Sequence, residues 1–444
     1  MKKNICKVIS VFLVVIFIFS ISACSNSKQI TENEKATESP KQIKTLTFMS
    51  FTSWIENTGA QAAFDLFNSQ KSQEIGARLE FEKVPEGEAG ENVITVKYAS
   101  GEVPDLVWWQ GANIKIDAVK HFVEFDEKEE WTKNFGDLSD THLRKDGKLY
   151  GIPFGDSTAF VMFYNKKVFE KAGVSIPKDW QEMLNVCEII KNTGITPVYY
   201  SGKDAWTLQL IPIAALASGA DQDTLIFDLE NNKKKWADVD FLKDAIAKTK
   251  ELLDKGYVQN TWLSDTYQQA QQALLDGTAA MYCNGTWLVG ELTKISTEET
   301  VNSDIGAFIV PLKANQKFIL GVPRPIFVSK MGKYVELAKK TALFFASLEA
   351  NNAWFKAQPG VPFIKGVSVD MKGPFKDIAD AVNKGLGTKD FTAYGIKGYA
   401  WNNSFDRNMQ DLLVNGKTVQ QVLEAMDAEY EKQAKAKNDP DFSK

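Results

Sequence analysis

The chain has 444 residues, of which 44% are hydrophobic and 25% charged, and a formal net charge of -5 at pH 7. This is the composition of a soluble globular protein, and the length suits two lobes or domains better than one core. The mildly acidic balance argues against a nucleic-acid partner, which normally needs a basic face to neutralise phosphates. The count of eleven Trp is high, and such indoles often line binding clefts, although half or more of them are assigned to cores.

The first residues have the pattern of an export signal. Lys2, Lys3 and Lys7 form a basic start, and an apolar run follows over residues 8–21. The run is too short to span a bilayer comfortably and ends in small residues, so it predicts a signal peptide.

The end of this run, Ile21-Ser22-Ala23-Cys24, resembles the lipobox of bacterial lipoproteins. In that motif the cysteine is acylated and becomes the first mature residue after cleavage. The resemblance therefore implies a signal peptide over residues 1–23 and a lipid anchor on Cys24, whose diacylglycerol supplies the two chains that stable anchoring requires. The alternative is an ordinary secretory signal in which Cys24 is incidental.

Residues 24–44 have the composition of a tether. They are mostly polar and include no aromatic side chain, so they cannot bury enough apolar surface to offset their ordering entropy. We therefore predict a disordered segment that holds the folded part away from the membrane.

Few cysteines remain in the folded part. Cys6 lies in the signal and Cys24 is assigned to the anchor, which leaves Cys187 and Cys283. Two distant cysteines form no disulfide framework. We interpret them as small buried hydrophobes, with a single disulfide as the alternative.

The first folded stretch alternates strand and helix. Strand patterns cover residues 45–51, 78–84 and 105–109, and helical spacing of apolar residues covers 60–70 and 92–100. A series of strand, helix, strand, helix and strand predicts a mostly parallel sheet covered by helices.

The remainder of the chain repeats this alternation. Its strand patterns lie at residues 160–164, 195–199 and 279–283. Its helices are predicted to start near Trp180, to cover 241–254, 267–275 and 335–348, and to start again at Thr418. Thr418 and Gln421 have the spacing of a capping box. Together these strand and helix patterns predict an α/β protein with two sheets.

Four segments, in order, carry a resemblance to a known family: residues 101–109, residues 150–153 with 163–180, residues 275–287, and residues 338–348 with 360–362. The second is the most specific, because many of its positions match in order; its Tyr164, Asn165 and Trp180 are assigned to packing rather than binding. Together the segments are similar to the extracellular solute-binding lipoproteins of carbohydrate ABC transporters, the maltose-binding-protein-like family.

The resemblance implies an α/β fold of the type II periplasmic-binding-protein kind. It has two lobes, each a mostly parallel sheet flanked by helices, with the ligand cleft between them. The expected segments are an N-lobe over 45–154 with 326–363 returning to it, and a C-lobe over 155–325 with 364–444 completing it. Hinges are expected near Gly155, residues 321–325 and residues 362–366.

The resemblance also implies a function, that of the membrane-anchored solute-binding component of an ABC importer. Such a protein captures a sugar or oligosaccharide by hinge closure and delivers it to the transmembrane permease subunits. It acts as a monomer on the extracellular face of the membrane, or on the periplasmic side in a Gram-negative cell, with no cofactor. The alternatives are a binding protein for a non-sugar solute, such as a peptide or polyamine, and a surface lectin that feeds no transporter.

The sequence does not predict an enzyme. His121 and His142 lack a metal-ligand spacing, and the chain contains no Gly-x-Ser-x-Gly elbow or phosphate loop. Carboxylates are numerous, but nothing marks an acid–base pair of the kind that glycosidases use.

A sugar presents hydroxyls at its rim and C–H groups on its faces, so its site needs flat aromatic surfaces with fixed donors and acceptors. In α/β lobes such groups belong on loops that follow strands. The candidate ligand-binding residues, chosen on this rule and on the resemblance, are Trp54, Glu56, Trp109, Gln110, Asn113, Asp156, Thr158, Trp206, Trp287, Arg324, Trp401 and Asn403.

Three of these candidates have a specific expectation. The resemblance implies that the aromatic ring of Trp287 lies against the sugar. Trp108 and Trp109 should point to opposite faces of their strand, and the resemblance favours Trp109 as the platform. Arg324 stands in a Pro-Arg-Pro sequence where the family has small residues, and a surface or hinge ion pair is its alternative role.

Overall fold

The computed structural model describes residues 42–86, 88–136, 138–139, 142–218, 222–388 and 404–443. The predicted signal peptide, Cys24 and the tether up to residue 41 lie outside this part, as do Trp401 and Asn403. Within the described residues, no helix combines the length and apolar character needed to cross a bilayer.

Strands and helices alternate through much of the described chain. The strands are β1 (Lys44–Phe51), β2 (Ala77–Val84), β3 (Leu106–Trp108), β4 (Arg144–Lys145), β5 (Lys148–Leu149), β6 (Ile152–Pro153), β7 (Asp156–Asn165), β8 (Thr196–Val198), β9 (Ala279–Gly285), β10 (Ile305–Phe308), β11 (Phe318–Gly321), β12 (Pro325–Val328), β13 (Val361–Pro362) and β14 (Gly387–Thr388). The helices are α1 (Thr52–Ile55), α2 (Thr58–Leu66), α3 (Ser72–Ile75), α4 (Glu88–Ser100), α5 (Ala112–Lys115), α6 (Ala118–His121), α7 (Lys166–Ala172), α8 (Trp180–Lys191), α9 (Leu210–Ala215), α10 (Gln222–Glu230), α11 (Asp240–Asp254), α12 (Tyr267–Asp276), α13 (Trp287–Ile295), α14 (Glu298–Asp304), α15 (Val335–Phe345), α16 (Leu348–Ala357), α17 (Gly373–Asn383), α18 (Phe405–Leu413) and α19 (Val419–Ala436).

The first sheet has the strand order β2-β1-β3-β12-β6. β1 is parallel to β2 and β3, whereas β12 is antiparallel to both β3 and β6. Phe48 and Trp108 belong to the core on one face of this sheet, and Met49 and Trp109 belong to the core on the other. Both faces are therefore covered, as expected for the sheet of a layered α/β lobe.

The second sheet has the order β14-β11-β7-β9-β8, and β10 and β13 also pair with β7. The ten-residue β7 is its central strand and runs antiparallel to β9, β10, β11 and β13. β8 is parallel to β9, and β11 is parallel to β14. Met162 and Met281 face one core of this sheet, and Phe163 and Tyr282 face the other.

Both sheets are mixed, whereas the sequence predicted mostly parallel sheets. The difference follows from the connections between them, because β6 passes to β7 through Phe154 and Gly155, and β11 passes to β12 through residues 322–324. The chain returns to the first sheet at the edge where β3 and β6 end, so β12 runs in the direction opposite to both.

A third passage between the sheets follows α16. Val361 and Pro362 pair with Ser157 and Asp156 at the start of β7. Directly afterwards, Ile364 packs in the core of the first sheet. The chain thus contacts both sheets within a few residues, and the exact lobe boundaries stay a prediction.

Asn165 joins the end of β7 to the helix that follows. Its Oδ1 accepts a hydrogen bond from the backbone N–H of Val168 at 3.1 Å, which caps α7. Its Nδ2 donates to the carbonyl of Leu274 at 2.9 Å, and the side chain is 2% exposed. Trp180 is also buried and donates to the carboxylate of Glu251. The assignment of these motif residues to packing is confirmed.

Cys187 and Cys283 are both free thiols, and both are buried in the same core of the second sheet. Burial raises the pKa of each thiol well above its usual value. Their interpretation as small buried hydrophobes is confirmed, and the alternative of a disulfide between them is wrong.

The sequence predicted one helix over residues 335–348, and the structure has two. α15 ends at Phe345, and Ser347 begins α16 by accepting a hydrogen bond from the backbone N–H of Ala350 at 3.2 Å. The serine acts as an N-cap inside a continuous amphipathic pattern. Apolar periodicity continues through such a break, which is why it suggested a single helix.

Candidate functional site

Loops that follow strands of both sheets meet along one edge. β1, β3 and β6 run in the same direction, so their carboxyl ends share an edge of the first sheet. From that edge the chain passes to β7 through Phe154 and Gly155, and it returns from β11 through residues 322–324. Two or three residues span at most about 10 Å. The two sheets are therefore close here, and we call this region the inter-sheet edge.

Three aromatic side chains, Trp206, Tyr267 and Trp287, form a cluster on the second-sheet side, here called the aromatic platform. β9 is antiparallel to β7, so its carboxyl end lies where β7 begins, and Trp287 follows it. The ring centroids of Trp206 and Tyr267 are 5.2 Å apart, and those of Trp206 and Trp287 are 6.2 Å apart. All three side chains are half-buried, so part of each ring remains open to a solute.

Trp287 folds back over the end of β9. A Cβ at Gly285 would lie 1.9 Å from the Trp287 ring, so this position requires glycine. Phe160 packs edge-on against the indole at 5.7 Å. These contacts fix the indole before a solute arrives, which reduces the entropy lost on binding.

The other two platform residues are fixed through Asp204. The backbone N–H of Tyr267, at the start of α12, donates to the Asp204 carboxylate at 2.6 Å. Trp206 lies in the short 3-10 segment Ala205–Gln209, which begins directly after Asp204. Burial raises the pKa of Tyr267, so its hydroxyl stays protonated. The hydroxyl oxygen is itself buried, so a solute can reach the ring of Tyr267 but not its hydroxyl in this conformation.

On the first-sheet side, Trp54 is partly covered by protein. Its ring tilts against Phe51 at 4.6 Å and meets Trp108 edge-on at 5.9 Å. The guanidinium carbon of Arg324 lies 4.5 Å from the centroid of the Trp54 ring. One face of Trp54 is thus occupied by Arg324, so the two side chains form a composite surface rather than a bare indole platform.

Asp156 and Thr158 lie on β7, the strand that follows the passage through Phe154 and Gly155. Asp156 opens β7 opposite Pro362, and Thr158 lies opposite Gly321. Both side chains are half-buried. Burial raises the pKa of the Asp156 carboxyl, and the positive charge of Arg324 opposes that shift.

The remaining first-sheet candidates are less open than the sequence suggested. Trp109 is 0% exposed, because helices cover both faces of the sheet and each indole of the Trp108–Trp109 pair enters a core. An indole with no exposed surface cannot stack on a solute in this conformation. Asn113 is 2% exposed and donates to the carbonyl of Arg144, and Gln110 is half-buried.

Glu56 lies away from these buried groups. It is exposed, and it accepts a hydrogen bond and ion pair from Lys83 at 2.9 Å. A solute would have to replace this partner. A role for Glu56 in binding stays a prediction.

Sequence reasoning missed Tyr267. It begins a helix and follows no strand, so the rule that selects loops after strands passes over it. The signal that could have found it is the capping box of Thr266 and Gln269, which fixes the helix start at Tyr267. No group of three or more metal-ligating side chains that could hold an ion occurs in the described part of the chain.

The chain is similar in sequence to known proteins. A family model described as bacterial extracellular solute-binding protein matches residues 62–382. A multiple sugar-binding protein of Streptococcus mutans is 24% identical over 302 residues, which cover 64% of this chain and 69% of that protein. An ABC transporter extracellular-binding protein of Pyrococcus horikoshii is 24% identical over 424 residues, which cover 93% and 94% of the two chains.

Solved structures show the same architecture. A chitin oligosaccharide binding protein superposes with a TM-score of 0.71 at 22% identity, covering 88% of this chain and 99% of that one. At this identity the likeness concerns the fold alone, and it confirms the predicted two-lobed type II α/β fold. The matching family and relatives are binding proteins rather than enzymes, so the prediction of a non-enzyme is confirmed.

Proposed function

This chain belongs to the bacterial extracellular solute-binding proteins, and from that premise we propose that it captures a sugar or oligosaccharide for an ABC importer. The aromatic platform is the main support. Trp206, Tyr267 and Trp287 present partly open rings at the inter-sheet edge, and flat rings match the C–H faces of a sugar. One relative is a multiple sugar-binding protein, and a chitin oligosaccharide binding protein shares the fold.

Capture occurs by closure of the two lobes. The solute contacts the platform on one side and the Trp54–Arg324 surface on the other, so it binds the closed state more tightly than the open one. That difference in affinity drives closure. The short passage at Phe154–Gly155 and the return at residues 322–324 are suited to act as hinges, because few backbone angles there must change.

Delivery takes place at a membrane. Cys24 carries the lipid that anchors the protein to the outer face of the membrane. The polar segment up to residue 44 lets the lobes extend away from the membrane surface. The closed monomer then docks on the transmembrane permease subunits. No cofactor takes part, because the energy comes from ATP hydrolysis in a separate subunit.

A thermal-shift panel tests the proposed function. Protein beginning after Cys24 is heated with neutral mono- and oligosaccharides, including chitin oligosaccharides, and with amino acids, short peptides and polyamines. A ligand at a hundredfold its Kd adds about 2.7 kcal/mol of stability, and a shift from one sugar class is expected. A response to a peptide or polyamine alone would overturn the assignment to sugar while leaving the family intact.

Trp287→Ala ties the response to the platform. We expect the affinity for the sugar found in the panel to fall at least about tenfold, or about 1.4 kcal/mol, because the stacking surface is lost. The matched control is Trp131→Ala, which removes a half-buried indole that packs between Phe125 and Phe135. Equal affinity for Trp287→Ala and the parent protein would remove Trp287 from the site.

A further inference from the structure

The lobe built on the first sheet has a pole at the end opposite the inter-sheet edge. β1 begins there at Lys44 and runs toward the inter-sheet edge, and the antiparallel β12 ends there at Val328, beside the start of β3. β1 has eight residues. At about 3.3 Å per residue, the pole lies roughly 25 Å from the inter-sheet edge. Side chains at this pole therefore do not contact a solute in the cleft.

Three chain segments meet at this pole and bring four lysines together. The ammonium groups of Lys44 and Lys333 lie 5.9 and 5.2 Å from the centroid of the Tyr334 ring. Lys330 donates a hydrogen bond to the carbonyl of Val119 in α6 at 2.6 Å. The start of β1, α6 and the loop after β12 thus form one surface. We call it the basal patch, with the members Lys44, Val119, Lys120, Lys330, Met331 and Lys333.

The lysines of the basal patch lack carboxylate partners. None of the four forms an ion pair among the described residues, whereas Lys71 and Lys97 of the same lobe each pair with a glutamate. Two exposed carboxylates, Asp117 and Glu336, flank the patch in sequence. A third, Asp105, is buried and accepts backbone hydrogen bonds. The exposed surface therefore keeps an excess of positive charge.

Two apolar side chains stand exposed among these lysines. Met331 is 52% exposed and Val119 is 46% exposed. Lysines that surround exposed apolar groups suit the surface of an anionic bilayer, because the ammonium groups contact headgroup phosphates while the apolar groups enter the boundary of the acyl chains. The chemistry of the basal patch therefore matches anionic phospholipid.

The predicted tether enters the folded part beside the basal patch. The described chain begins at Gln42, whose side chain accepts a hydrogen bond from Lys44 at 2.6 Å. Residues 24–41 have the composition of a flexible chain, and about 18 residues of such a chain have a root-mean-square length of roughly 20–25 Å. With the proposed lipid on Cys24, the patch is held close to the membrane, and even weak contacts are populated at that local concentration.

We propose that the basal patch rests on the anionic phospholipid surface of the membrane that holds the anchor. The inference rests on one part of the proposed function, the lipid on Cys24. In this orientation the inter-sheet edge faces away from the membrane, toward the solution from which a solute arrives. Docking on the permease then follows release of the patch, which weak and salt-screened contacts allow.

Vesicle sedimentation tests the patch without the anchor. Protein beginning after Cys24 is mixed with vesicles of phosphatidylcholine alone, or of phosphatidylcholine with phosphatidylglycerol, over a series of lipid concentrations. Binding is expected only to the vesicles that contain phosphatidylglycerol, and added salt should weaken it. Lys330→Gln combined with Lys333→Gln should lower the affinity about 25-fold, at about fivefold for each lysine.

A matched variant and a dye control for charge and orientation. Lys178→Gln combined with Lys384→Gln removes two exposed lysines from the lobe of the second sheet and should bind vesicles like the parent. Met331→Cys carries an environment-sensitive dye, whose emission should shift to the blue on anionic vesicles because the patch leaves water. The same dye on Lys178→Cys should not shift. Melting curves verify that each variant is folded.

The opposing outcomes separate the patch from the proposed function. Equal binding by the parent and the Lys330–Lys333 variant, no binding by the parent, or a dye shift at position 178 equal to that at 331 would overturn the basal patch. The patch variant should respond to sugar like the parent, so silence of both towards every sugar would overturn sugar capture alone. An unacylated Cys24 in protein extracted from cell membranes would overturn the anchoring and, with it, the proposed orientation.

Discussion

Gly155 is the position where a single methyl group should disturb the passage between the sheets most. Its φ is +97°, a region that L side chains rarely adopt. An added Cβ would lie 2.7 Å from the ring of Trp354, which is 1% exposed and cannot move into solvent. Gly155→Ala therefore combines backbone strain with overpacking.

The size of the effect follows from these two terms. A non-glycine residue at positive φ costs about 1–2 kcal/mol, and forcing an extra methyl into a packed core costs about 1–3 kcal/mol. The expected loss of unfolding free energy in Gly155→Ala is therefore about 3 kcal/mol. For a chain of this length, that corresponds to a fall in Tm of roughly 4 °C.

Two other glycines separate the terms. Gly76 has φ +86° and nothing within 4 Å of its would-be Cβ, so Gly76→Ala should show only the backbone cost. Gly59 meets the five-membered ring of Trp354 at 2.7 Å without a positive φ, so Gly59→Ala should show the steric cost without the left-handed backbone cost, less the helix propensity that alanine gains in α2. Urea denaturation of the three variants measures each loss.

Gly155→Ala is expected to lose more stability than either Gly76→Ala or Gly59→Ala. Adding Gly155→Ala to a Trp354→Phe background should cost less stability than adding it to the parent protein, because the smaller phenylalanine ring relieves part of the steric clash. If Gly155→Ala unfolds at the same urea concentration as the parent, residue 155 is not constrained by its backbone conformation and by Trp354 in the way that the structure indicates.

Three further predictions concern single side chains. Asn165→Ala should lower the unfolding free energy by about 2–3 kcal/mol, because it removes a helix cap and a buried hydrogen bond. Since these contacts lie far from the aromatic platform, the affinity for sugar should stay unchanged. A loss of affinity in the folded variant would contradict the assignment of Asn165 to packing. A thiol-reactive dye should label neither Cys187 nor Cys283 in the folded protein and both in urea, because burial raises the pKa of both thiols and excludes the dye; rapid native labelling would refute their burial. Since burial raises the pKa of Asp156, the native state holds this proton more tightly than the unfolded chain, and the group's contribution to stability falls as pH rises through the carboxyl range. Asp156→Asn should accordingly raise Tm at pH 7 and lose that advantage near pH 3, below the usual aspartate pKa of about 3.9; calorimetry showing a lower Tm at pH 7 would reverse the sign.

The positions of the longer elements could be predicted from apolar periodicity. A strand expected over residues 45–51 is observed at Lys44–Phe51, and a helix expected over 241–254 is observed at Asp240–Asp254. The capping box at Thr418 is also confirmed, with reciprocal hydrogen bonds between Thr418 and Gln421. These signals are local, so one sequence is enough to detect them.

Strand pairing could not be predicted in the same way. β11, β13 and β14 have only two to four residues, which is too short for a periodicity to appear. Their directions depend on β7, to which β11 and β13 pair after long intervals of sequence. Such partners are chosen by tertiary packing, which propensity does not encode.

Some residues of the candidate site could also be predicted from the sequence, and others could not. Trp206 and Trp287 follow strands and lie at the inter-sheet edge, so the rule about loops after strands found them. Trp109 follows a strand equally well, but the core that contains Ile94, Ala112 and Ala118 covers it. Sequence alternation shows that two adjacent indoles point to opposite faces, whereas only the packed structure shows that both faces are closed.

The late position of β12 has a kinetic consequence. This strand lies between β3 and β6 in the first sheet, although it is synthesised long after both. Because the chain is synthesised from its N-terminus, that sheet cannot be completed until Val328 has been made. Contacts between segments that are distant in sequence also slow folding. On the proposed export route, slow completion of this sheet keeps the chain loose enough to be threaded through a translocation channel before it folds on the far side.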